Sequence, residues 1–130
     1  MSLSNEQIRA TVAVSDIDRA VEFYERTLGL TPLGGEAMGD VRIYPCGGGS
    51  LLQVYASQHA GTTTATVASW SADSFESVID ELRANGVTFE TYGEPTTDES
   101  GIHTFGEHKV VWFKDPDGNT LAVDNGLVPS

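Results

Sequence analysis

The stretch "VVWFKDPDGNTLAVDN", residues 110–125, decides the fold of this chain, because it reads as a strand, a tight turn and a second strand with one basic side chain. Val111 and Phe113 alternate with Trp112 ahead of the turn, and Leu121 and Val123 alternate with Thr120, Ala122 and Asp124 behind it. That period of two belongs to strands with two distinct faces. Between them Asp115, Pro116, Asp117 and Gly118 suit a β-turn position by position. A calcium loop would need further spaced carboxylates that are missing, so these four residues are structural. Function therefore turns on what Thr120, Ala122 and Asp124 present to the space the sheet encloses.

Upstream, residues 64–71 read as a strand leading into an acid-rich helix, in which Phe75, Val78, Ile79 and Leu82 share one face before Gly86. A strand is expected near 87–92 and a Gly/Pro/Thr/Asp-rich loop over 93–102. The same plan opens the chain. Over residues 8–14, Ala10, Val12 and Val14 alternate with Arg9, Thr11 and Ala13. Ser15 is placed as the N-cap, with Asp18 three residues on, and Ile17, Ala20, Val21, Tyr24 and Leu28 form a helical stripe closed by Gly29. Short strands are expected near 31–35, 40–45 and 50–56. Superposing the helices sets Asp16 on Ser74 and Val21 on Ile79. Two βαβββ copies thus account for nearly the whole chain, an α+β fold in a single domain, 1–130, with module one at about 6–58 and module two at about 62–126.

A chain of 130 residues can bury a core without disulfides or metals, and 39% hydrophobic residues is the share of an ordinary soluble α+β protein. No apolar run approaches the length of a membrane span, and the first residues have neither the basic nor the apolar region of a secretory signal. Cys46 is the single cysteine and reads as a small, half-buried apolar residue; with no internal disulfide possible, a reducing cytoplasm is expected. A formal charge of −12, from 19 acids against 7 bases, excludes the clustered cations that nucleic acid requires. It reads as a solvated acidic surface.

Two separated motifs, "VAVSDIDRAVEFYERTLGL" at 12–30 and "VWFKDPDGNTLAV" at 111–123, resemble the vicinal oxygen chelate superfamily, which includes glyoxalase I, extradiol dioxygenases, and fosfomycin- and bleomycin-resistance proteins. The resemblance covers about residues 8–125 and implies two βαβββ modules, each a curved sheet partly wrapped around a cavity, with helices outside. On that plan Arg9, Thr11, Gln53, Tyr55, Val67, Ser69, Trp112, Ala122 and Asp124 face inward. Val111, Phe113, Leu121 and Val123 pack against helices. Metal-dependent members carry one ligand on each of four strands, and the resemblance sets those positions on Arg9, Gln53, Val67 and Ala122. A catalytic first-row metal needs about three imidazole, carboxylate or thiolate donors, so neither a metal nor another cofactor is expected. The neighbours Thr66, Ala68, Leu121 and Val123 would point toward helices and would not repair the set.

His103, Glu107 and His108 bring donor types together in "HTFGEH", but on a continuous strand His108 would point away from the other two. They read as surface residues, as does His59 in the linker between modules. Trp112 and Tyr55 can stack on a planar ligand; Trp70 shares the parity of Ala68 and reads as core. Arg9 can pair with a ligand carboxylate or phosphate, or with an inward acid such as Asp124. No nucleophile–base pair is visible, and "CGGGS" lacks the helix start of a phosphate cradle. The expected function is metal-independent binding of a small organic molecule, an antibiotic or metabolite, as in bleomycin-resistance proteins. The alternatives are a lyase, isomerase or dioxygenase of the same superfamily, metal-free with Asp124 as base or with atypical ligands, and an accessory module whose cavity its own side chains fill. A homodimer is expected, without nucleic-acid or membrane partners, and residues 93–108 are expected to form a lid or partner-contacting loop.

Overall fold

The computed structural model describes residues 3–34, 39–94 and 96–126, and the chain divides into two units, Met1–Thr63 and Thr64–Ser130. In the first, β1 (Arg9–Val14) runs parallel to β3 (Leu51–Ala56), and β2 (Val41–Pro45) pairs antiparallel with β3, giving the order β1-β3-β2. Register sets Arg9, Thr11 and Ala13 opposite Leu51, Gln53 and Tyr55. The other face carries Val12, Val14, Leu52 and Val54, buried with Ala20 and Tyr24 of the helical segment. The apolar alternation is thus spent on the helix side, as the sequence pattern expects, and leaves Arg9 and Thr11 exposed.

The helical segment begins as α1 (Ile17–Val21) and continues as a π-helical turn, Glu22–Thr27. Its N-cap is Asp16 and not Ser15. Asp16 is extended, and its carboxylate accepts from the backbone N–H groups of Asp18 and Arg19 at 3.0 and 3.2 Å. One carboxylate thereby satisfies two of the helix's orphan donors, while the Ser15 hydroxyl is taken by the Arg19 guanidinium at 3.0 Å.

In the second unit β4 (Thr66–Ser71) is followed by α2 (Phe75–Ala84), β5 (His103–Phe105), β6 (His108–Lys114) and β7 (Thr120–Asp124), in the sheet order β4-β7-β6-β5. β4 and β7 are parallel and the other pairs antiparallel. Phe75, Ile79 and Leu82 of α2 are buried, as are Val111, Phe113, Leu121 and Val123 of the sheet. Phe89 meets Phe113 edge to face at 6.2 Å and lies under the Arg83 guanidinium at 5.0 Å. Each unit therefore builds its core on one side of a mixed sheet, and the α+β expectation holds.

Two expected strands do not form. Over 31–34 only an isolated bridge joins Leu33 to Ile43, since Pro32 has no N–H with which to extend a ladder; residue 35 and most of the turn after it lie outside the described residues. Over 87–92 the backbone is irregular and gives one bond to the sheet, Glu90 N–H to the Trp112 carbonyl at 2.8 Å. The corresponding strand is His103–Phe105, which pairs with β6 across Gly106 and Glu107. Three residues are too few to show a period, which is why the sequence places them in a loop.

The turn after β6 is held by its first residue. Asp115 is buried, and its Oδ1 accepts from the N–H groups of Asp117 and Asn119, each at 2.9 Å, while its Oδ2 accepts from the Asn119 side chain at 2.9 Å. Gly118 adopts φ +85°, a left-handed conformation that other residues reach only at a cost. This network fixes the register of β7 on β6, and hence which side chains of β7 face which way.

Candidate functional site

Register places Trp112 beside Ala122 and Lys114 beside Thr120, on the face opposite the buried Phe113 and Leu121. On that face three rings gather. Trp112 meets Tyr92 edge to face at 5.5 Å and His103 at 6.1 Å in a tilted arrangement. Trp112 and Tyr92 stay half-buried, so their rings form an accessible wall rather than a filled core. Burial raises the Tyr92 phenol above its ordinary pKa, and the Glu90 carboxylate adds to the shift, so at neutral pH Tyr92 is an uncharged donor.

Trp112 and Tyr92 edge a cleft of about 450 Å³, within the range of small-molecule sites. Its polar rim comes from Thr64, Thr66, Glu94, Lys114 and Thr120. Lys114 Nζ donates to Thr120 Oγ1 at 2.7 Å, and the Thr120 hydroxyl reaches the Thr64 carbonyl at 3.5 Å.

Thr66 stands here because of a register shift in β4. Thr66 pairs with Thr120 but Ala68 pairs with Leu121, so Val67 is an extra residue without a partner on β7. A bulge of this kind resets the alternation. Thr66, expected to point toward the helices, lines the cleft instead. Beyond the bulge the expected parity resumes, with Ser69 opposite Ala122 and Ser71 opposite Asp124.

Ala122 and Asp124 are buried in β7, as are all five residues of that strand. Asp124 Oδ1 accepts from the Ser71 hydroxyl and from the Gly126 N–H, both at 2.9 Å, which commits that oxygen to closing the end of the sheet. In the first unit Arg9, Thr11, Gln53 and Tyr55 share the exposed face, and Arg9 Nε donates to Gln53 Oε1 at 2.7 Å. Lys114, Tyr92 and Thr66 were not among the expected site residues. The parity of Trp112 already pointed to Lys114, but Tyr92 lies in irregular backbone and Thr66 before a bulge, where parity carries no information.

The four positions that would hold a metal do not suit one. Arg9 is permanently cationic, Val67 and Ala122 have no donor atom, and the Gln53 amide oxygen already accepts from Arg9. Among the described residues no group of three or more His, Cys, Asp or Glu side chains is placed to hold an ion. His103 Nδ1 lies 2.6 Å from the Thr96 carbonyl and His108 Nδ1 lies 2.9 Å from the Gly126 carbonyl. A carbonyl only accepts, so each Nδ1 carries its proton. The hairpin across Gly106 sets His103 opposite Val110 and His108 opposite Phe105. His59 is exposed in a turn, its N–H bonded to the Ser57 hydroxyl at 3.1 Å.

The sequence matches the model of the Glyoxalase/Bleomycin resistance protein/Dioxygenase superfamily over residues 7–123. No curated protein sequence matches. Among solved structures, a glyoxalase/bleomycin resistance protein from Catenulispora acidiphila is 24% identical, with 95% of this chain and 98% of that chain covered at a TM-score of 0.64. TnmS3, an antibiotic binding protein from Streptomyces, is 20% identical, with 92% and 96% covered at a TM-score of 0.67. The oxidase ChaP-H2 is 21% identical, with 96% of each chain covered at a TM-score of 0.68. At these identities the likeness is one of fold, and it spans a binder and an oxidase alike.

Proposed function

The chain belongs to the Glyoxalase/Bleomycin resistance protein/Dioxygenase superfamily, and from that premise we propose that it is a metal-independent binding protein for a small, planar organic molecule, an antibiotic or metabolite. The observation that carries this reading is the accessible ring wall of Trp112 and Tyr92 bordering the cleft. Stacking on such a wall needs no metal, and the missing donors at Arg9, Val67 and Ala122 remove the usual reason for one. The antibiotic-binding neighbour of the same fold supports the reading by analogy. The hydrogen bonds of Asp124 favour a binder over a lyase or isomerase with that residue as base.

In this reading Trp112 borders the ligand with Tyr92, Thr66, Lys114 and Thr120, while Ser69, Ala122 and Asp124 continue the sheet beyond the cleft and Val67 marks the bulge beside it. The face bearing Arg9, Thr11, Gln53 and Tyr55 is a second contact surface, and the protein acts in the cytoplasm as a homodimer. Chelator-treated protein, assayed by thermal shift and equilibrium dialysis against planar aromatic antibiotics and metabolites, should bind at least one of them in a Trp112-dependent way. Stoichiometric zinc, iron or manganese in protein purified without added metal would overturn metal independence, and analytical ultracentrifugation reads the dimer.

A further inference from the structure

We infer that Lys114 is the charge-recognising residue of the cleft, and that the ligand class is a planar aromatic carboxylate; the inference rests on the cleft being the ligand site. Lys114 is half-buried at the end of β6, and its ammonium donates to one neutral acceptor, the Thr120 hydroxyl, at 2.7 Å. An ammonium has three N–H donors. Among the described residues Lys114 forms no ion pair, although acids outnumber bases 19 to 7 in the chain. Arg26, Arg83 and Lys109 each take a carboxylate, Glu22, Asp80 and Glu76 respectively. The Lys114 ammonium has donors to spare beside this neutral hydroxyl, and a ligand carboxylate would take one of them in a charge-assisted bond.

The sheet fixes the distance between ring and charge. Trp112 and Lys114 lie two residues apart on one face of β6, opposite Ala122 and Thr120, which separates them by roughly 7 Å at the usual rise along a strand. A carboxylate attached directly to a two- or three-ring system spans that length. Glu94 on the rim disfavours a second negative charge, so a monoanion fits.

The test compares 2-naphthoate, its methyl ester and 2-naphthylmethylammonium, titrated at pH 7 into the full chain carrying W70F, which leaves Trp112 as the fluorophore, with calorimetry as a second readout. We expect 2-naphthoate to bind about tenfold tighter than the ester, the size of one charge-assisted bond. K114Q, which keeps a donor for Thr120, should abolish the difference, K114R should retain part of it, K109Q should leave it intact, and added salt should narrow it. Equal affinity for acid and ester, with both lost in W112A, would remove Lys114 from recognition and leave the cleft as the binding site. Preference for the cationic probe would also overturn the inference, assigning the cleft's charge selection to Glu94. Failure of every probe to quench Trp112 or release heat would sink the inference and the site together.

Discussion

Trp112 and Tyr92 meet edge to face on the open side of the second sheet, their ring centroids 5.5 Å apart and their planes 73° apart. Edge-to-face packing against Tyr92 fixes the indole, and Trp112 stays half-buried in the cleft lining, where a flat ligand can reach it. W112A should therefore weaken binding of a planar aromatic probe by roughly 1 kcal/mol or more, while Y92F, which keeps the ring, should change it little. Titration calorimetry on variants with unchanged circular dichroism checks both, and full affinity in W112A would move the site elsewhere.

Ala122 is 4% exposed at the position where metal-dependent relatives would carry a carboxylate. A122E would bury an unpaired charge, at a cost of roughly 3 kcal/mol or more at neutral pH. A buried carboxyl has its folded pKa raised above the unfolded value, so the penalty is present at high pH and shrinks as pH falls and the group protonates. Urea denaturation of A122E and wild type at pH 8 and pH 5 reads that difference. Recovery of wild-type stability on adding zinc would show that the neighbouring side chains can complete a metal site.

Tyr44 is fully buried, stacks on Tyr24 at 6.2 Å, and donates its hydroxyl to Glu25 Oε2 at 3.0 Å. Burial pushes its pKa far above the ordinary phenol value, and the hydrogen bond to the Glu25 carboxylate pushes the same way. The folded pKa exceeds the unfolded one of about 10. Stability should therefore be intact below that pH and fall above it by roughly 1.4 kcal/mol per pH unit. Y44F should be less stable at neutral pH yet show a flatter decline between pH 10 and 11.5, measured by chemical denaturation; parallel declines in both proteins would refute the assignment.

Gly101 has φ +91°, and a Cβ placed on it would lie 2.7 Å from the Cβ of Phe89 and 3.0 Å from the Glu90 carbonyl oxygen. G101A should cost roughly 1–3 kcal/mol and, by displacing the backbone of residues 89–90, disturb the approach to Tyr92. A thermal melt together with probe affinity separates the two effects. An unchanged melting temperature would show that the loop relaxes freely.

The fold was legible where alternation ran long enough to be counted. Residues 8–14 and the two strands of 110–125 show themselves by alternation, and Phe75, Ile79 and Leu82 show the core face of α2, because one buried side of a sheet or helix imposes its period on the sequence, while 40–45 and 50–56 are marked by the glycine-rich turns around them. His103–Phe105 is too short to show a period, and residues 87–92 look like a strand although the buried Phe89 is apolar for packing rather than pairing. The site was legible only in part. Trp112 follows from parity, and Lys114 two residues on shares its face by the same rule. Tyr92 contributes from irregular backbone, where only three-dimensional contact with Trp112 gives it a role. Ser15 and Asp16 are both good capping residues, and the sequence held nothing to choose between them until the backbone angles of Asp16 did.

The unpartnered Val67 in β4 bears on every attempt to copy a site into this scaffold. Positions before it and after it keep different books: a residue matched by counting from the helix is one step out of phase with a residue matched by counting from the start of the strand. Grafting a histidine at 67 to imitate a metal-dependent relative would insert it at the irregularity itself, whereas the side chain opposite Thr120 belongs to Thr66. Anyone redesigning this protein should therefore number β4 from its partner strand and treat the linear alignment as valid only on one side of the insertion.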